Sequence, residues 1–230
     1  MNPKVFEADL DARIARHNLL AHPFHQAWID GRLSQEHLRA YAVESFHFVA
    51  AFPTFLSALH CRLEDGALRR TLLRNLADEE VEGRAHSDLW LDFAHGLGLS
   101  HNQVRRSQPS AEARQLIERF YRSASQDSPA QVLAAIYAYQ SQMPRICGER
   151  ARALLQYYGA DAFSCGFFVL HSYADALHTK VWRSELLRFI ARNHELAAPV
   201  LESASCAAGW LWQAMDGCQA HRLSEHSMTA

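Results

Sequence analysis

The chain has 230 residues, a formal net charge of −2 at pH 7, 49% hydrophobic residues, and only seven prolines and ten glycines. This length suffices for one domain with a full hydrophobic core, and the abundance of Ala, Leu, Arg, Glu and Gln is the composition of long helices. No Lys/Arg run exceeds two residues, which argues against nucleic acid or a membrane surface as a partner and leaves a small molecule.

Five cysteines, Cys61, Cys147, Cys165, Cys206 and Cys218, are scattered without a C-x-x-C pair. They suggest neither a disulfide framework nor a zinc knuckle and read as small buried hydrophobes in a reducing compartment. The start, "MNPKVFEADL", carries acids and no apolar signal-peptide region, and no apolar run approaches the roughly 18 residues of a membrane span, so the expected location is the cytoplasm.

In chain order, residues 5–20 read as an amphipathic helix with Phe6, Leu10, Ile14 and Leu19 on one face, ending before Pro23. A short helical turn covers Phe24 to Ile29. Ser34 caps a long helix that bends at Pro53 and runs to Arg62. A second long helix is expected over 66–96, with "GLGLSHNQ" as the loop after it. Ser110 caps a helix over 111–124, and Ser128 followed by Pro129 opens one that continues to the stop at Gly159. Another helix carries "HSYADALH", and the last covers about 196–219. No strand alternation or internal repeat is present. The expectation is all-α: a compact seven-helix bundle in a single domain over 1–220, followed by a polar tail over 221–230.

Two polar stripes interrupt this apolar pattern. In "HSYADALH", His171, Asp175 and His178 stand at spacings of four and three, so a helix presents all three within roughly 60° of one another. In "NLADEEVEGRAH", Glu79, Glu82 and His86 repeat that spacing. Each stripe alone also reads as solvated acids or as core histidines held by Asp175. Together they offer three imidazoles and at least two carboxylates, a mixed N/O set suited to iron or manganese and without the thiolates of structural zinc. On one straight helix Glu79 and His86 would lie about 10.5 Å apart along the axis, so two adjacent ions are easier to serve than one. Pro144 cannot donate to the carbonyl of Gln140, which predicts a kink in the helix from Pro129.

"HPFHQAW", "YAVESFHFVAAFPTFLSALH", "NLADEE" with its later histidine, "YAYQSQMPRI" and the H-x3-D-x2-H helix together resemble the haem-oxygenase-like di-metal oxidase and oxygenase superfamily. The resemblance is to the CADD and PqqC-like branch, whose fold is shared with TenA proteins, and it spans about residues 15–185. It implies two Fe(II) ions, or one iron with one manganese, that activate O2 without haem on a small substrate, often an amino acid or a fatty acid, and it leaves room for an external reductant. By this resemblance Glu79 and His86 match the first ligand pair, and His171, Asp175 and His178 the last three.

The chain departs from that pattern in two places. Gln140 stands where the family has a sixth, glutamate ligand; an amide is a neutral, weaker donor, which Glu82 or a substrate carboxylate would have to supplement. His25 stands where part of the branch has a tyrosine that it consumes as its own substrate, and Arg150 stands at an associated lysine, where it cannot act as a neutral amine. An external substrate in a biosynthetic pathway is therefore expected, with His25, Glu44, His47 and Arg145 as candidate pocket groups. Arg145 is preferred among them because a guanidinium pairs bidentately with a carboxylate.

Three alternatives stay open on sequence grounds. A metal-free PqqC-like oxidase would use the histidines as acids and bases. A non-catalytic binding protein would keep only the scaffold. A TenA-like hydrolase is disfavoured because "YAYQSQMP" lacks the expected cysteine nucleophile. The apolar "GWLWQAM" fits a homodimer face or a core face equally.

Overall fold

Side-chain caps set most of the helix starts. In a computed structural model, which describes residues 2–228, Asn2 accepts from Lys4 N and opens α1 (Pro3–Ala15). α2 is Pro23–Ile29, and α3 is Gln35–Cys61, opened by a capping box between Ser34 and His37. α4 (Ala67–Glu80) and α5 (His86–Gly96) follow, then α6 (His101–Arg106), which begins at a capping box between Ser100 and Gln103. α7 is Ala111–Gln126, α8 Pro129–Gln140 and α9 Met143–Tyr157. α10 (Gly166–Arg192) and α11 (Ala197–Met228) complete the chain, with single 310 turns at Leu19–Ala21 and His194–Leu196. No strand occurs among the described residues.

The bundle is all-α, but the described residues form eleven α-helices rather than seven. The expected helix over 66–96 is broken at 81–85, a turn in which Gly83 takes φ +76°, a left-handed conformation that glycine adopts without strain. The expected helix over 129–159 ends at Gln140 and restarts at Met143, with Pro144 in the first turn of α9. The missing Pro144 N–H thus produces a complete break instead of a kink. Gln142 fills the gap: its side-chain amide donates to Ala138 O at 3.1 Å and its Oε1 accepts from Leu19 N at 2.9 Å. The stretch read as a loop after Gly96 contains α6, and the last helix runs to Met228, so most of the expected polar tail is helical. The last two residues of that tail lie outside the described residues.

α11 packs along α8, α10 along α9 and α8, and α3 along α7, α5 and α4. The buried apolar side chains form one continuous cluster. Its aromatic layer joins α2, α3, α5 and α10: Trp28 lies 5.1 Å from Tyr41 and 6.0 Å from Phe93, and Phe168 lies 4.9 Å from Phe93 between ring centroids. Such pairs contribute about 0.5–1.5 kcal/mol each beyond area burial, so they fix α5 against α10, the helices that carry His86 and His171. α3 is long and apolar enough to cross a membrane by length and composition, with a mean hydropathy of 1.3, but half of that window is buried against its neighbours. Trp210 and Trp212 of "GWLWQAM" pack on the core, Trp210 against Phe120 and Trp212 against His22. Cys61 is exposed, against the expectation of burial, while Cys147 and Cys165 are buried.

Candidate metal centre

The break at 81–85 is what assembles the site. Glu79 sits in the last turn of α4 and His86 is the first residue of α5, so the chain folds back and their side chains meet. His86 Nδ1 lies 2.7 Å from Glu79 Oε2, instead of a full two turns away along one helix. Arg84 holds the turn by an ion pair with buried Asp92 of α5. α10 contributes His171, and one ligand atom from each of Glu79, His86 and His171 lies within 4.8 Å of the others. All three residues are buried, at 4–5% exposure.

His171 is prepared as a neutral ligand. Its Nδ1–H donates to Phe167 O at 2.8 Å, which fixes the tautomer and leaves Nε2 as the lone-pair atom. Burial lowers its pKa, with the nearby Asp175 charge opposing. Phe167 also stacks on the ring at 4.0 Å, and His86 meets it edge-on at 4.6 Å.

Three buried polar atoms in this region have no hydrogen-bond partner: His86 Nδ1, despite its short approach to Glu79, Asp175 Oδ2 and Asn75 Oδ1. Buried lone pairs of this kind are costly unless something satisfies them. A cation bound by nitrogen and oxygen does so, and the donor set, imidazoles with carboxylates and no thiolate, is that of iron or manganese. The residues therefore fit the implied metal.

The remaining predicted ligands are otherwise engaged. Asp175 Oδ1 accepts from Gln140 Nε2 at 3.2 Å, and Gln140 Oε1 accepts from Trp182 Nε1 at 2.7 Å. His178 lies 3.7 Å from Asp175 Oδ1, but its Nε2–H donates to Asp78 Oδ2 at 3.0 Å and its Nδ1 accepts from Asn75 Nδ2 at 2.9 Å. Burial pushes the His178 pKa down, and the neighbouring Asp175 and Asp78 carboxylates, the latter hydrogen-bonded, outweigh it, so the net shift is upward. Glu82 is exposed in the 81–85 turn and does not join the cluster; once the helix breaks, its three-residue offset from Glu79 no longer places it on the same face.

A cavity of about 590 Å³ opens beside the cluster between α3, α7, α9, α10 and α11. Phe167 and Tyr139 line it on the ligand side, so Phe167 is a wall common to the cavity and to His171. Of the four candidate pocket groups, only Glu44 lines this cavity, and it accepts from Ser110 N at 2.9 Å. His47 bonds Ser107 Oγ at 2.9 Å outside the lining, and His25 is fully buried with Nε2 on Glu149 at 3.0 Å. Arg145 points outward, its side chain 75% exposed and paired with Glu149 at 3.0 Å. Five residues further on, a helical rotation of about 140° turns Arg150 inward, and it lines the cavity. Cys147 lines it too, but burial and then the Asp175 charge push its thiol well up, which leaves it protonated and unsuited as a nucleophile.

Sequence reasoning missed Asn75, Asp78 and Trp182, which hold His178 and Gln140. Each extends a stripe already recognised: Asn75 stands four residues before Glu79, Asp78 is its neighbour, and Trp182 stands four residues after His178.

Comparison with known proteins assigns the chain to a family. Residues 39–210 match the family described as iron-containing redox enzymes. The chain belongs to that family. It is 35% identical over 203 residues to a 4-aminobenzoate synthase of Chlamydia pneumoniae, covering 88% of this chain and 90% of that one. It is 30% identical over 162 residues to a pyrroloquinoline-quinone synthase of Acidiphilium cryptum, covering 69% and 65%. The fold is that of a TenA homologue from Pseudomonas syringae, with a TM-score of 0.79 at 19% identity over 94% of this chain and 92% of that one. The protein is thus an iron-containing redox enzyme of the haem-oxygenase-like kind.

Proposed function

We propose that this enzyme is an O2-dependent, non-haem oxidase or oxygenase in a biosynthetic reaction, acting on a small carboxylate-bearing substrate of the amino-acid-derived type. Glu79, His86 and His171 hold one ion; Asp175 and His178, once His178 turns from Asp78, complete a place for a second, iron or manganese. The observation that carries the reading is the convergence of three buried ligand atoms within 4.8 Å around a histidine nitrogen that has no hydrogen-bond partner. When bound, iron supplies electrons for the reduction of O2, and an external reductant restores them.

The chain's own residues do the rest. Phe167 and Tyr139 exclude water from the cluster side of the cavity and guide the substrate body towards it. The Phe167 carbonyl keeps His171 in one tautomer. Gln140 holds the Asp175 carboxylate through Oδ1 and leaves Oδ2 available. Tyr139 stays a neutral phenol, its pKa raised by burial and then by the Asp175 and Glu79 charges. The substrate comes from outside the chain, since His25 is tied to Glu149 and has no phenol ring to be consumed. No contact with nucleic acid or membrane is part of this reading, and its setting is the cytoplasm.

Anaerobic reconstitution with Fe(II), metal counting and then O2 mixing test it. Bound iron and O2 uptake that both vanish in His86→Ala are expected. A protein that binds neither iron nor manganese would sink the proposal and favour the metal-free oxidase.

A further inference from the structure

Arg150 is an anomaly in the core. Its side chain is 95% removed from solvent, at 5% exposure, in the second turn of α9. Nη1 donates to Tyr41 Oη, Nη2 meets Met215 Sδ at 3.6 Å, and Nε has no partner. The guanidinium lies 4.8 Å from the Trp28 ring centroid and 4.9 Å from that of Tyr41. A phenol, a thioether and two ring faces soften a charge but do not neutralise it, and no carboxylate pairs with Arg150 among the described residues. Buried guanidinium groups are ordinarily paired. This one lines the cavity instead.

Its surroundings show what the cavity accepts. Met143, Cys147 and Arg150 follow one another at helical spacing on the inward face of α9, and all three line the cavity. Phe48, Tyr139 and Phe167 line it as apolar walls; Phe48 meets Tyr139 edge-on, and Phe167 stacks on His171. Cys147, also in the lining, is close enough to Asp175 and to Arg150 for both charges to act on its thiol, in opposite directions. The cavity is therefore lined by a buried cation and by apolar walls, and the Phe167 ring in its lining stacks on His171.

We propose that Arg150 seats the substrate carboxylate: a small acid with an apolar or aromatic body binds with its carboxylate on the guanidinium and its body along Phe48, Tyr139 and Phe167. The geometry suits the group, because a guanidinium presents a planar fork of donors that a carboxylate matches. The proposal deepens the enzyme reading above and rests on it for the word substrate. It also moves the anion-binding role from Arg145, which faces solvent, to a residue that a ligand reaches only by entering the cavity.

The test is calorimetric titration of the full-length protein, metal-free and Fe(II)-loaded without oxygen, with benzoate, 4-hydroxyphenylacetate and octanoate, and with benzamide as a neutral counterpart. The acids are expected to bind both forms and benzamide at least tenfold more weakly. Arg150→Gln should lose at least tenfold in acid affinity while its Tm stays the same or rises, because an unpaired buried charge is removed; a merely structural arginine would lower Tm. Arg150→Lys, which keeps the charge and loses the fork, should fall between the two and serves if the glutamine variant does not fold. Arg145→Gln should leave binding unchanged. Unaltered acid affinity in both Arg150 variants, equal binding of benzamide, or failure of all three acids to bind either form would each overturn the proposal. Iron counted on the same samples separates the two readings: iron without acid binding sinks only the role of Arg150, and acid binding without iron sinks only the metal centre.

Discussion

The two halves of the proposed ligand set are built on opposite plans. Glu79, His86 and His171 converge on one point, and His86 Nδ1 has no hydrogen-bond partner there. Gln140, Asp175 and His178 are instead joined to the protein through Trp182, Asp78 and Asn75. Asp175 bridges the two plans, one oxygen held and the other unpaired. Polar groups that the fold leaves unsatisfied are completed by something from outside; groups already satisfied have to break a bond first. The difference predicts unequal metal affinity, with the first ion tight and the second weaker.

The largest expected effect follows from the open half. Glu79→Ala or His86→Ala should empty the protein of iron and reduce O2 uptake by more than about 100-fold, whereas His178→Ala should cost only the second ion. Metal analysis of the three variants decides it, and equal losses would erase the distinction between the halves.

The contrast between satisfied and unsatisfied nitrogens extends to His25, which has Nε2 on Glu149 and Nδ1 without a partner. Burial, reinforced by the Arg150 charge, lowers its pKa from 6.5 to about 4. The unfolded chain takes up this proton below about pH 6.5 and the folded chain does not until about pH 4, so stability falls as pH drops through that window. The full loss is on the order of 3 kcal/mol. Denaturant unfolding of metal-free protein at pH 6.5 and 4.5 should show most of it, and His25→Asn should flatten the difference.

Two smaller changes act on the satisfied half. Gln140→Glu keeps an acceptor for Trp182 but takes the donor from Asp175 and sets a second negative charge against it. Metal-free stability should fall by about 1–3 kcal/mol, and the count of tightly bound ions should rise towards two. A variant with unchanged stability and unchanged metal content would show that the amide is incidental. Asp78→Asn weakens the bond that holds His178 at a partly exposed position; a loss of about 1 kcal/mol or less is expected, along with tighter binding of the second ion.

The sequence made the helical class and the two polar stripes legible because both rest on periodicity. The break that unites Glu79 with His86 was hidden, since a single glycine inside a helical pattern is compatible with continuation; only its left-handed φ shows that the chain turns. α6 was readable in principle from Ser100 and Gln103, whose spacing is that of a capping box. The choice between Arg145 and Arg150 was also within reach, because Met143 and Cys147 mark the inward face of α9 and Arg150 continues it. The double bonding of Gln140 was not, as it depends on how α10 docks against α8 and brings Trp182 beside it.

If the proposed site binds its ion, the exposed turn at 81–85 would display the enzyme's metal status. The first ion would splint the ends of α4 and α5 together; without it, they meet through Glu79 on His86, while Arg84 ties the turn to buried Asp92 around one glycine hinge. Iron-starved molecules should therefore open there first and be cut after Arg84 by trypsin, while loaded molecules resist. In a cell, the same joint would let proteases remove enzyme that has failed to acquire its metal and spare the rest.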